Sequence, residues 1–422
     1  MMIRHLYNAL WYPAAPLLRR YLRRRARAAP AYAEHWGERF GAAHPQPVRD
    51  ALWIHAVSVG ETRAAQPLAA ALRRYFPDAP LLLTQMTPTG RATAQALFPH
   101  AQCRYLPYDR EDWVRRFVAE HRPRVGILME TELWPNLMHA CAAAGVPLFL
   151  ANARLSARSQ RGYARIGALL RPALATLAGC YAQSEADEAR LRDIGVLRTA
   201  VAGNTKFDIA PPDAAYALAQ TFRQRIGARR VLVAGSTRHT ETYDEAAEIL
   251  RAWRQYAAPQ DLLVVVPRHP ERFDAVCETA AQLGLPVQRR SDHAPVCAGT
   301  RVWVGDSMGE LFAYYLAADV VFVGGSLADT GCQNIIEPLA CGKAVLFGTS
   351  TYNFQDACDK ALAAGAARQI GSAAELVQTA AAWLDNPESC APMRANAAAF
   401  VAAHQGAADR TAAAIARAVG AG

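Results

Sequence analysis

The chain has 422 residues, more than one ordinary hydrophobic core can organise, so two or three domains are expected. Its 52% hydrophobic and 20% charged residues exclude a disordered chain. Nine scattered cysteines contain no CxxC pair, which argues against a disulfide framework or a cysteine zinc site and points to reduced thiols in a cytosolic compartment. The formal charge of +9 is concentrated at one end: residues 1–40 hold Arg4, Arg19, Arg20, Arg23, Arg24, Arg25, Arg27 and Arg39 against Glu34 and Glu38.

Just upstream of the arginine cluster, Leu6 to Leu18 is apolar and aromatic, with Trp11 and Tyr12 at its centre. A membrane-spanning helix needs about 20 apolar residues, and this run is shorter and interrupted by Pro13 and Pro16. A secretory signal places its charges first, whereas here they follow. The pattern predicts that residues 1–40 form a basic amphipathic segment lying on an anionic membrane surface, with Trp11, Tyr12, Leu17 and Leu18 as an apolar wedge. No aromatic–basic interleaving continues into the body, so nucleic acid is not an expected partner.

Past residue 50 the chain alternates short apolar runs with helical patterns, the signature of βαβ units. Strands are expected at Leu52–Val57, Leu81–Thr84, Val125–Met129, Leu148–Ala151, Gly179–Ala182 and Thr199–Ala202, with alanine-rich helices such as Arg63–Tyr75 and Leu137–Ala144 between them. Ile209 to Asp213, with Pro211-Pro212, reads as a linker. The alternation restarts with Val231–Ala234, Leu262–Val266, Pro286–Gln288, Val302–Val304, Val320–Val323 and Ala344–Phe347. The expected fold is α/β: a first Rossmann-like domain over 41–210 and a second over 211–422, facing across a cleft as in the glycosyltransferase B fold.

The most informative stretch is WIHAVSVGETRAAQP (53–67), a strand that reaches Gly60 and turns into a helix. Open parallel sheets place ligands at the carboxyl ends of their strands, and the residue presented there is Glu61. A carboxylate in a first helical turn is held ionised by the helix dipole, as a general base requires; equally, acidic residues are common at that position for helix stability alone. In the second half, Arg238 and Arg268 follow two strand ends, and planar guanidinium groups suit phosphate. Gly305 to Leu311, Val323 to Ser326 and Gly331 to Pro338 are further turns into helices. Glu337 suits a pair of ribose hydroxyls, or is simply a charge at a helix start. There is no Asp-x-Asp motif and no His pair at ligand spacing, so a metal-bound nucleotide is not expected.

HAVSVGET (55–62), QMTPTG (85–90), YLPYD (105–109), METELWPNL (129–137), ANARLSARS (151–159), GNTKFD (203–208), VPRHPERF (266–273), VGDSMGEL (304–311), VGGSL (323–327) and NIIEP (334–338) together resemble the 3-deoxy-D-manno-octulosonic acid (Kdo) transferases. The resemblance covers almost the whole chain, including AYAEHWGERFG (31–41). It implies inverting, metal-independent transfer of Kdo from CMP-Kdo to the lipid A precursor lipid IVA in lipopolysaccharide assembly, on the cytoplasmic face of the inner membrane. It also implies Glu61 as general base, and Glu130 and Lys206 as the stabilising pair of catalytic groups. Pro267, Arg268, Met308, Gly309, Glu310, Asn334, Ile335, Ile336 and Glu337 would line CMP. The chain departs from the family pattern at Arg238-His239-Thr240 and at Gly331-Cys332-Gln333. Two rival readings are a transferase using a UDP-sugar and a non-catalytic scaffold at the membrane surface.

Overall fold

A computed structural model describes residues 2–420. The chain divides into two compact units, one formed by residues up to Ile209 together with those from Gln405 onward, the other by Ala210–His404. The linker expected at Ile209 to Asp213 is therefore where the chain passes from one unit to the next.

The first unit contains β1 (Leu52–His55), β2 (Leu81–Gln85), β3 (Gln102–Tyr105), β4 (Val125–Met129), β5 (Leu148–Ala153), β6 (Gly179–Ala182) and β7 (Thr199–Val201). They pair in parallel in the order β3-β2-β1-β4-β5-β6-β7. Strands covered by helices on both faces read as unbroken apolar runs, because each face needs its own core. In β1, Trp53 joins one core with Leu82, Phe117 and Leu150, while Ile54 joins the opposite one with Leu68, Leu83 and Ile127. The strand order reverses between β1 and β4, which makes their carboxyl ends the crevice where such sheets bind ligands.

The second unit repeats the plan with β8 (Val231–Thr237), β9 (Leu262–Pro267), β10 (Val287–Arg289), β11 (Val302–Val304), β12 (Val320–Val323), β13 (Ala344–Phe347) and β14 (Arg368–Gln369), in the order β10-β11-β9-β8-β12-β13-β14. Its reversal lies between β8 and β12. The strands not anticipated from sequence are β3, whose Gln-Cys-Arg-Tyr has no apolar run, and the two-residue β14.

The expected boundary of the second domain is corrected at its end. The last helix, Ala407–Ala418, belongs to the first unit: Ala408, Ala412, Ile415 and Ala416 pack into the core formed by Ala64, Ala65 and Leu68 of the helix Val59–Arg73. The Asp208 carboxylate fixes the return by accepting from the backbone N–H groups of Gly406 (2.5 Å) and Ala408 (2.7 Å), and Arg410 donates to the Ala202 carbonyl at 3.0 Å. An alanine-rich tail carries no signal of which core it joins, which is why the sequence reading left it with the second domain.

The basic segment also differs from expectation. Met2–Ala28 is one continuous helix with Pro13 and Pro16 inside it; both prolines lie on the exposed side, where water can satisfy the carbonyls left without an N–H partner. Trp11 and Leu18 turn inward, Trp11 packing on Tyr108 and Trp113, whereas Ile3, Leu6, Leu10, Tyr12, Leu17 and Tyr21 stay exposed. Arg39 is fully buried, donating to the Met86 carbonyl (2.9 Å) with its guanidinium 3.6 Å from the Tyr105 ring centre, and Arg4 pairs with Glu111. The exposed cations are thus Arg19, Arg20, Arg23, Arg24, Arg25 and Arg27, of which Arg19, Arg23 and Arg25 lie over Phe40, Trp36 and Tyr32. No described helix is long and apolar enough to cross a membrane.

If the last helix completes the first core, truncating its buried isoleucine should destabilise that unit. Ile415→Ala is expected to cost about 3 kcal/mol in chemical denaturation, the usual range for a fully buried aliphatic side chain.

Candidate active site

The carboxyl end of β1 leads to Ser58, the N-cap of the helix Val59–Arg73, so the helix begins earlier than the sequence predicts and Glu61 occupies its third position. The two side chains are reciprocal. Ser58 Oγ accepts from the Glu61 N–H at 3.4 Å and donates to Glu61 Oε1 at 2.9 Å, while Glu61 Oε2 accepts from the Val57 N–H at 2.8 Å. This is a variant of the capping box, in which a first-turn carboxylate reaches back to free backbone donors.

The carboxyl end of β4, the neighbour across the reversal, delivers Glu130. Its backbone is left-handed (φ +56°), held by its N–H donating to the Ala151 carbonyl at 3.0 Å. A non-glycine residue there costs about 1–2 kcal/mol, which the surrounding structure must offset. Lys206 comes from the short 3₁₀ turn Thr205–Asp208, and its Nζ lies 2.8 Å from Glu130 Oε1. The turn is placed by the buried Asn152, whose Oδ1 accepts from the Thr205 N–H at 3.0 Å. Asn152 is itself left-handed (φ +52°) and marks a register shift between β5 and β6.

The structure thus gathers Glu61, Glu130 and Lys206 in the first unit, and adds Glu132, which sequence reasoning passed over although it lies within METELWPNL. Glu132 Oε2 accepts from Trp134 Nε1 at 2.6 Å, and burial raises its pKa. Burial, then the charge of Glu130, drive the Glu61 carboxyl up to about 7, against the lowering effect of its Val57 and Ser58 hydrogen bonds. The expectation that the helix dipole holds Glu61 ionised is therefore corrected: desolvation beside a second carboxylate outweighs it. The outcome suits proton transfer better, because a base is most effective when its pKa lies near the working pH.

In the second unit the expected nucleotide residues fall on loops at the carboxyl edge of the sheet. Pro267 ends β9, and Arg268 follows it in an exposed position, its N–H bound to the Thr237 carbonyl at 3.0 Å. Met308 and Gly309 (φ +82°) form an exposed turn, but the Glu310 carboxylate is already engaged by Arg290 at 2.7 and 2.9 Å and by Ser307 at 2.6 Å. Asn334 caps the short helix Ile336–Ala340 through the Ile336 N–H and donates to Glu337 Oε1 at 3.1 Å. Ile335 and Ile336 turn fully buried side chains into the core, so only their backbone can meet a ligand.

A further residue was missed there. The buried Glu245 carboxylate accepts from the backbone N–H groups of Arg238 (2.9 Å), Gly325 (2.7 Å) and Leu327 (3.0 Å), with Ala328 a fourth donor. It ties the loop after β8 to the loop after β12 across the reversal. The loops approach so closely that a Cβ on Gly324 would lie 2.5 Å from the Ser236 carbonyl oxygen. One of two acidic residues in a first helical turn, Glu245 gives no sequence signal of such a role. Among the described residues, no group of three or more His, Cys, Asp or Glu side chains converges as a metal-ligand set.

Residues 34–209 match the family model described as 3-deoxy-D-manno-octulosonic-acid transferase (kdotransferase). The chain is 43% identical to the 3-deoxy-D-manno-octulosonic acid transferase of Bordetella pertussis over 430 residues, covering 97% of both proteins. It belongs to the 3-deoxy-D-manno-octulosonic acid transferase family. A second member, from Haemophilus influenzae, is 34% identical over 92% of each chain. The Kdo transferases are glycosyltransferases, and so is this enzyme. A UDP-GlcNAc 2-epimerase from Neisseria meningitidis, solved bound to UDP-GlcNAc, aligns over 87% of this chain and 99% of its own with a TM-score of 0.58. At 14% identity that likeness speaks for the fold alone.

Because Glu245 satisfies four backbone donors, Glu245→Ala should cost the second unit about 3 kcal/mol, read as a lower denaturation midpoint; leaving buried donors without an acceptor is far costlier than losing an exposed contact.

Proposed function

We propose that this transferase moves Kdo from CMP-Kdo to the lipid A precursor lipid IVA, with inversion, without a metal ion or other cofactor, at the cytoplasmic face of the inner membrane. The observation that carries the catalytic assignment is the meeting of Glu61 with the Glu130–Lys206 pair at the strand reversal of the first sheet, in a member of this family. Glu61 takes the proton of the acceptor hydroxyl. The oxygen then forms a bond to the anomeric carbon of Kdo, and the bond from that carbon to the phosphate oxygen breaks as CMP departs. Lys206 offers positive charge to the Kdo carboxylate or the departing phosphate, and Glu130 offers negative charge to an oxocarbenium-like centre. In the second unit, Arg268 and the loop Asn334–Glu337 hold the nucleotide. A single phosphate can be stabilised by cationic side chains and helix termini, so a chelator should leave the rate within about twofold.

Glu61→Gln should retain the fold and CMP binding and lose roughly 10²–10⁴-fold in turnover at saturating acceptor. In the wild type the base must be ionised, so kcat/KM should fall as pH drops through about 7 and level off above it. Near-normal turnover by the variant would overturn the assignment of Glu61, and detection of a UDP-sugar as the preferred donor would overturn that of CMP-Kdo.

Membrane residence rests on the helix Met2–Ala28, whose exposed side carries Ile3, Leu6, Leu10 and Leu17 and then the cations. Each basic residue near an anionic surface contributes about 1 kcal/mol. Replacing Arg20, Arg24 and Arg27 by Ser should weaken binding to anionic vesicles by roughly 100-fold. Transfer to a detergent-dispersed acceptor should change little, because these side chains lie on the exposed side of the helix.

A further inference from the structure

We propose that the inward face of the amino-terminal helix positions the carboxylate loop Glu130–Trp134, with Tyr7 and Asn8 acting through Asp109 and Asn136. This rests on the reading of Glu61 and Glu130 as catalytic groups, and assigns the helix a part in the reaction that is independent of lipid.

The loop runs directly into the helix Pro135–Ala143, whose start has no local cap: its N-cap residue is Trp134, which cannot accept a hydrogen bond from the first turn. The missing acceptor comes from Asp109. One of its oxygens accepts from the Asn136 N–H at 3.0 Å, the other from the Leu137 N–H at 2.8 Å, and its carbonyl accepts from Asn136 Nδ2 at 2.8 Å. The amino-terminal helix closes this arrangement. Tyr7 donates its hydroxyl to Asp109 at 3.0 Å, Asn8 Oδ1 accepts from Asn136 Nδ2 at 2.7 Å, and Arg4 Nε donates to Asn136 Oδ1 at 3.2 Å. Arg4 and Asn8 also both bind Glu111, at 2.9 and 2.6 Å. Asn136, fully buried, is thus held from three directions.

At its other end the loop is fixed near the reacting groups, by the Glu130 N–H on the Ala151 carbonyl, by Thr131 on the Arg154 carbonyl and by Lys206 on Glu130. Trp134, two residues before Asn136, fixes Glu132. Loosening Asn136 therefore reaches Glu132 through Pro135 and Trp134, and Glu130 through the rest of the loop. Misplacing a catalytic group by a fraction of an ångström is enough to cost rate without affecting binding. It also alters the surroundings of Glu61, whose proton affinity is set by burial and by Glu130 and Glu132.

Tyr7→Phe removes one hydroxyl and Asn8→Ala one amide, and the two are to be assayed separately with detergent-dispersed acceptor. Each is expected to lower kcat about tenfold. KM for CMP-Kdo and binding to anionic vesicles should stay unchanged, and the acidic limb of the pH profile should move about half a unit toward lower pH as Glu61 loses burial and the facing charge of Glu130. A kcat within twofold of wild type in both variants, or a loss with an unshifted pH profile, would overturn the positioning role. Should Glu61→Gln prove active, the catalytic assignment fails instead. If one variant is too unstable to assay, the other decides.

Discussion

The ion pair between Lys206 and Glu130 is the contact on which the rest of the first unit converges. A carboxylate at the end of β4 can face the reversal of the sheet only if its backbone leaves the strand in a left-handed turn, and the lysine 2.8 Å away holds it there. Lys206 in turn is placed by a short turn pinned on one side by Asn152 and on the other by the grip of Asp208 on the returning last helix. Thus a bulge in β5 and a helix some two hundred residues away both serve one 2.8 Å contact. The result is a sheet edge where burial desolvates Glu61 and the charge of Glu130 adds to it, the condition that brings a glutamic acid to a neutral pKa.

The second unit solves a related problem with backbone instead of side chains. Its sheet reverses between β8 and β12, and the loops beyond those strands must come within van der Waals contact, which Gly324 allows. Glu245 holds them by collecting N–H groups from both. Burying a charge is costly unless hydrogen bonds compensate, and here several do. Both units therefore place a glutamate beside the strand reversal, ionisable near neutrality in one and consumed by structure in the other. In sequence the two look alike, each lying within the first turn of a helix that follows a strand.

That likeness marks the limit of what could be read from residues alone. Both parallel sheets were legible, because doubly covered strands are continuous apolar runs and each helix between them carries its own punctuation. The strand β3 escaped because its inward Arg104 is buried against His121 at 2.7 Å instead of being replaced by an aliphatic residue. Glu61 was found at the end of a strand that turns into a helix, Glu130 and Lys206 through motif resemblance, and the structure gathers them; periodicity could not have joined residues so far apart in the chain. Ile335 and Ile336 show the converse, since a motif containing them says nothing of which atoms face outward. The basic segment was legible as charge, but not as a helix with two working sides, because Arg4, Trp11 and Leu18 turn inward on partners that only the tertiary structure supplies.

The return of the last helix has a consequence for biosynthesis. The first unit is interrupted, so a ribosome that has finished Ile209 must make all of Ala210–His404 before the closing piece emerges. At about 5–20 residues per second that is a wait of roughly 10–40 s. Throughout it, the flank of Val59–Arg73 that later meets Ala408, Ala412 and Ile415 stands open to the cell. Alanine is a fitting residue for such a surface, since a row of methyl groups offers little for a nascent chain or a chaperone to hold. The second unit, by contrast, is continuous and can close first, whereas the turn that carries Lys206 gains its full support only once the last helix has been made.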